Sequence, residues 1–280
     1  MGIFTRLKNG WTLGKTSLRT IKENPSLMLF PVISGTALLL VSIVILGGGA
    51  FLFGDSLDRL SETESGAGSL MIYLGLFIFY LINYFVIVFF NVGLVHCAKK
   101  INEGRATDFG EGVRFALTKI GAIFSWALLV ATVGVVLKAI QERSGAIGKI
   151  VTGMIGMVWG LATFFVVPII AYENVTPIQA VKRSAEVMKD NWGESLGATF
   201  SFGIFNLLGT ILIALPLFLV GIMINPVVGI VLGALAFALV QIVVSAANVI
   251  FLGAVYSHVN NEPTGNFEGA ALDSIFMPKS

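Results

Sequence analysis

Three groups of side chains have types and spacings that could do chemistry. The first is a set of uncharged polar residues inside otherwise apolar stretches: Tyr80, Asn83, Tyr84 and Asn91, then Asn206 and Thr210, then Gln241, Ser245 and Asn248. Gln241, Ser245 and Asn248 stand at i, i+4 and i+7, which is one helical face. Amides in such surroundings either hydrogen-bond helix to helix or line a hydrated or lipid-accessible cavity for a polar solute or headgroup. The second group is Glu173, Lys182, Arg183, Lys189 and Trp192. Pairing of Glu173 with Arg183 or Lys182 would latch a short helix to the segment before it. Alternatively, Lys182, Arg183 and Lys189 contact anionic lipid headgroups, with Trp192 marking the membrane interface. The third group is His96-Cys97, which only His258 could join from another helix end. A metal site needs several convergent ligands, so none is expected. Ser184 has Arg183 and Glu186 nearby but no histidine in its segment, which argues against an activated nucleophile. No phosphate loop, catalytic carboxylate pair or zinc repeat occurs, so neither a cofactor nor an enzymatic activity is expected.

The elements that must position these residues are written in the absence of charge. No charged residue lies between Glu23 and Asp55, and further charge-free stretches run through 65–98, 120–137, 150–172 and 195–261. Apolar runs of about eighteen or more residues are candidate membrane-spanning helices. Only 12% of the 280 residues are charged, against about 25% in soluble domains, which excludes an ordinary globular protein. The longest stretch contains Asn225-Pro226, a turn signal, and so holds two spans. The expected fold is all-α: a polytopic membrane protein forming a single transmembrane domain over 1–280. Its six helices are expected near 26–48, 69–98, 119–138, 150–171, 196–222 and 227–258. The N-terminal segment lacks the apolar core of a cleavable signal peptide. Cys97 is the sole cysteine, so no internal disulfide forms.

Lysine and arginine give the orientation. Fourteen of the eighteen lie in the N-terminal segment, the second-to-third and fourth-to-fifth connections, and the tail. The other four, Arg59, Lys138, Arg143 and Lys149, lie on the opposite side. The positive-inside rule then places both termini in the cytoplasm. The connection 54–68, with Asp55, Asp58, Glu62 and Glu64, reads as a solvated outer loop. No charged residue falls mid-span, which argues against a proton-driven pump built on carboxylate relays.

Each cytoplasmic connection also carries an amphipathic stretch. The expected apolar stripes are Phe4, Leu7, Trp11, Leu18 and Ile21 with Gly14 between; Val113, Ala116, Leu117 and Ile120; and Ile178, Val181, Ala185 and Met188. Asp108 with Glu111 has capping-box spacing, and Thr176, Pro177 and Gln179 form a fuller start signal. Short basic amphipathic helices of this kind lie in the headgroup layer. Ser17 precedes Asn24 as Ser184 precedes Asn191, which raises a threefold repeat of interfacial helix plus hairpin near 3–98, 107–171 and 176–258. Gly153, Gly156 and Gly160, and Gly229 with Gly233, offer smooth faces for close helix approach. Pro31, Pro168 and Pro216 are expected to kink spans or to sit at their ends.

Several blocks then carry a resemblance. They are Leu29-Phe30-Pro31-Val32-Ile33-Ser34-Gly35; Val167-Pro168 through Glu173 and Ala180-Val181-Lys182-Arg183-Ser184-Ala185-Glu186 to Trp192-Gly193; Ala254-Val255-Tyr256; and Gly265-Asn266-Phe267 with Phe276-Met277-Pro278-Lys279. The chain resembles an uncharacterised family of prokaryotic six-helix integral membrane proteins known as a domain of unknown function. More loosely, it is similar to the membrane domain of some glycerophosphodiester phosphodiesterases, whose soluble catalytic domain has no counterpart here. The family pattern often has a further basic residue and Tyr near the end of the last helix, where this chain reads Tyr256-Ser257-His258. The resemblance implies a prokaryotic cytoplasmic membrane protein and assigns no activity. The expected function is a non-enzymatic lipid-interacting or scaffolding protein, with membrane lipids and a protein partner or second copy as partners, and no nucleic acid. The alternative is a transporter or channel for a small neutral or lipidic solute.

Overall fold

The computed structural model describes residues 3–47, 66–143, 145–190, 202–265 and 267, which are helices joined by turns with no strand among them. The helices are α1 (Ile3–Glu23), α2 (Leu29–Ser42), α3 (Gly66–Asn102), α4 (Phe109–Thr118), α5 (Ile120–Arg143) and α6 (Gly145–Ala162). They continue with α7 (Val166–Tyr172), α8 (Pro177–Asp190), α9 (202–209), α10 (Leu215–Ile224) and α11 (Pro226–Val259). Among the described residues six stretches are long and apolar enough to cross a membrane: Pro25–Ile45, Leu70–Asn102, Ile120–Glu142, Gly148–Tyr172, Phe202–Ile224 and Pro226–Val259. The fold is that of an all-α, multi-pass membrane protein. The outer-loop expectation at 54–65, the start of the fifth helix at 196–201, and Asn191, Trp192, Gly193 and Lys279 lie outside the described residues.

Backbone chemistry explains the breaks. Pro168 has no N–H to give the carbonyl of residue 164, and the chain turns through 163–165 before α7 begins. The Phe165 N–H instead donates to the Ser184 hydroxyl at 3.0 Å, with both residues fully buried. Pro216 sits in the first turn of α10, directly after a π turn over Thr210–Ala214. Pro31 lies in the first turn of α2, where a missing donor costs nothing. Gly104 ends α3 in the left-handed region (φ 72°), with Arg105 N–H donating to Lys100 O and Gly104 N–H to Ile101 O. That bond pair is a Schellman cap, and Asn261 (φ 57°) closes α11 in the same manner.

Contacts group the chain into two compact units, one of residues 1–32, 93–115 and 186–280, the other of 33–92 and 116–185. In the first, α3 and α4 approach at Gly93 and Gly112. A Cβ on Gly112 would stand 2.4 Å from Phe30 Cζ and 2.8 Å from Gly93 O. Phe30 plugs this crossing and packs on Phe109 at 4.7 Å between centroids. In the same unit α10 and α11 meet through Gly221 and Gly229, where an added Cβ would lie 2.6 Å from the facing Cα. In the second unit Trp126 of α5 stacks on Trp159 of α6, and Phe85 of α3 meets Phe124 edge-on.

Burial corrects the expected stripes. On α1, over residues 11–23, the buried residues are Leu13, Gly14, Ser17, Thr20 and Ile21, while Trp11 and Leu18 are half-buried. At 3.6 residues per turn this face is rotated by roughly a quarter turn from the apolar stripe. On α4 Gly112 and Ala116 are buried, whereas Leu117 is exposed. On α8 the buried set is Ala180, Ser184, Val187 and Met188, and Ile178 is 63% exposed. Gly153, Gly156 and Gly160 are a second correction, because an added Cβ at each meets nothing within 4 Å.

Candidate functional site

Within the second unit, the start of α8 is built from its own sequence. Thr176 N–H donates to Gln179 Oε1 at 2.9 Å and Gln179 N–H returns to Thr176 Oγ1 at 3.4 Å, with Pro177 as the first helical residue. This capping box satisfies donors that a helix start leaves open. One turn later Arg183 Nε lies 3.4 Å from Glu173 Oε1. Glu173 caps α7, so this ion pair ties the end of one helix to the side of the next. Lys119 Nζ donates to Asn174 Oδ1 at 3.2 Å, and a cavity of about 400 Å³ opens between Lys119, Ser125, Glu173 and Thr176. Lys182 points to solvent from the same helix. Lys189, also exposed, belongs to the first unit, and Trp192 lies outside the described residues.

Among the polar residues within the spans, the amides Asn206 and Gln241 are committed to each other. In the first unit Asn206 Nδ2 donates to Gln241 Oε1 at 2.8 Å, and Gln241 Nε2 donates back to Asn206 Oδ1 at 3.1 Å. Thr210 donates to the Asn206 carbonyl at 2.8 Å. Ser245 is exposed and Asn248 half-buried, so the shared face of α11 is not gathered into one site. In the second unit Asn83 donates to Phe79 O of its own helix at 2.7 Å, and Asn91 is half-buried. The first unit also has an apolar cleft of about 520 Å³ walled by Trp11, Phe205, Leu212 and Val240. Its residues were legible as hydrophobic, but no spacing in the sequence marked them as a cavity.

A third cluster in the first unit surrounds the end of α3. His96 stacks on Phe115 with centroids 3.8 Å apart, and its Nε2 lies 4.0 Å from Glu111 Oε1. Glu111 also takes the Lys100 ammonium. That bond, followed by one from Thr107, holds the Glu111 carboxyl below its usual value. Asp108 Oδ1 accepts the Glu111 N–H at 2.7 Å as the helix cap. Cys97 is buried, donating to Asp108 O at 3.3 Å and accepting from Thr107. Among the described residues no three His, Cys, Asp or Glu side chains converge as a metal would require. The sequence marked His96 and Cys97 but missed Glu111 and Lys100 as their neighbours, which only the α3–α4 crossing brings together.

No curated protein matches the chain. A family model covers residues 70–270, a range that takes in the Glu173–Arg183 pair, the amide pair and the Glu111 cluster. The chain belongs to this family, DUF6159, a family of unknown function.

Proposed function

We propose that this is a non-enzymatic protein of a prokaryotic cytoplasmic membrane that engages anionic lipid at the cytoplasmic surface and holds a protein partner or a second copy there. The carrying observation is how α1, α4 and α8 divide their faces. Each buries small or hydroxyl-bearing residues and turns basic ones outward: Lys15, Arg19 and Lys22; Arg114; Lys182 and Lys189. Basic residues beside an anionic leaflet gain about 1 kcal/mol each. The fourteen-to-four charge division supports placing these helices, and both termini, in the cytoplasmic headgroup layer. The buried positions Leu13 and Ser17 recur in spacing as Gly112 and Ala116 and as Ala180 and Ser184, which supports descent of the three segments from one repeat.

Native mass spectrometry of the full chain released from nanodiscs of mixed phosphatidylglycerol and phosphatidylcholine tests this reading. Retention should favour phosphatidylglycerol and fall when Lys182 and Lys189 are both changed to Gln. Equal retention of the two lipids, with neither self-association nor a recovered partner, would overturn it. Transport is the competing reading, and it is favoured for a lipidic solute by the apolar cleft in the first unit. The Asn206–Gln241 pair weighs against a polar solute, since each amide occupies the other. Movement of a labelled lipid between leaflets of vesicles holding the protein, and not of empty vesicles, would favour transport.

A further inference from the structure

We propose that the cleft of the first unit holds one acyl chain of an anionic phospholipid, with Lys15 at its headgroup. The inference rests on the lipid-engaging reading above and assigns it a particular place. The cleft is built rather than incidental. Gly14 of α1 lets Phe205 approach so closely that a Cβ there would stand 2.3 Å from the ring edge. Phe205 then stacks on Trp11 with centroids 4.2 Å apart and planes 10° apart, forming one end wall. Gly209 gives the same room to Val240, whose Cγ1 would be 2.7 Å from a Cβ. Ala236 and Val240 make a buried floor, while Leu212 and Leu239 at the mouth are 67% and 58% exposed.

The occupant follows from position and charge. Leu212 and Leu239 belong to helices that cross the membrane, so hydrocarbon meets the mouth. A volume of about 520 Å³ falls within the roughly 300–1,000 Å³ of ordinary ligand sites. Apolar walls alone would accept any chain; the end at Trp11 discriminates. Lys15 Nζ sits 5.5 Å from the Trp11 ring centroid, and Lys22 lies two turns further along α1. A cation over an indole at the cleft's end suits a phosphate whose tail enters the cleft.

Trp11 is itself the probe. In the full chain carrying Trp126→Phe, Trp159→Phe and Trp192→Phe it is the remaining indole. Nanodiscs would contain either phosphatidylglycerol or phosphatidylcholine brominated on its acyl chains, the other lipid being unbrominated. Brominated phosphatidylglycerol should quench Trp11 with about fivefold higher apparent affinity, the effect of one lysine near an anionic group. Lys15→Gln should abolish the preference, and Leu212→Phe with Leu239→Phe at the mouth should weaken quenching by both lipids. Equal quenching by the two headgroups, or quenching indifferent to the mouth variants, overturns the inference. If phosphatidylglycerol is still retained in native mass spectra of the mouth variant while Trp11 shows no preference, the cleft fails and the lipid-engaging reading stands. If neither preference appears, both fail.

Discussion

Ser17 and Ser184 are both fully buried, yet their hydroxyls have different obligations. Ser17 returns its proton to Leu13 O in its own helix, while Ser184 accepts the Phe165 N–H freed by the turn before α7. Replacing a buried partner strands the other group, at about 1–3 kcal/mol. Ser184→Ala should therefore lower thermal stability in detergent by about that amount, and Ser17→Ala by less than about 1 kcal/mol, because the Leu13 carbonyl keeps its helical bond. Equal losses would show that Phe165 finds another acceptor. Glu111 offers a pH test. Its carboxyl lies below the usual value, chiefly through Lys100, so its contribution is present above the unfolded carboxylate pKa and disappears as pH falls through the lowered one. The melting temperatures of the native protein and Glu111→Gln should converge across that acid window and differ at neutral pH. A constant difference would disprove the linkage.

At the scale of elements, α3 crosses α4 at two glycines plugged by one phenylalanine. Gly112→Val would drive methyl groups into Phe30, Cys97 and the Gly93 backbone, so it should prevent folding or cost several kcal/mol, at least the ~1–3 typical of overpacking. Gly156→Ala, with open space around it, should be neutral or stabilise by up to about 1 kcal/mol through helix propensity. Expression and melting of the two variants decide whether the close approach is where the structure has it. The same elements show what hydrophobic pattern can and cannot convey. The six spans were plain, because charge is excluded from hydrocarbon wherever a helix faces. The buried faces of α1, α4 and α8 were not, because apolar residues in a membrane protein meet lipid as readily as protein. Ile178 and Leu117 are exposed while Ser17, Thr20 and Ser184 are buried. The Thr176 cap and the Glu173–Arg183 pair were legible since both are local in sequence. The Asn206–Gln241 pair was not, since nothing in either helix specifies which amide it meets.

For the whole molecule, orientation is the first quantity to measure. In a Cys97→Ala background, Ser61→Cys should react with an impermeant maleimide added to intact cells, and Ser280→Cys only after permeabilisation. The reverse pattern would invert the topology and place the basic faces of α1 and α8 on the other surface. A further consequence lies in the π turn at Thr210–Ala214. A π turn holds one residue more than the helix needs, so it absorbs that residue while the turns on either side keep their phase. Deleting Ile211 removes that surplus, so the segment should close as regular α-helix with the preceding turns still in phase with α10, whereas the same deletion in a plain α-helix would rotate them by about 100°. Asn206 should therefore stay on Gln241 and Phe205 on Trp11, keeping the amide pair and the cleft wall. Retained Trp11 quenching in the deletion would be its signature, and loss of quenching with insertion intact would mean that the preceding turns need the surplus residue to hold their phase.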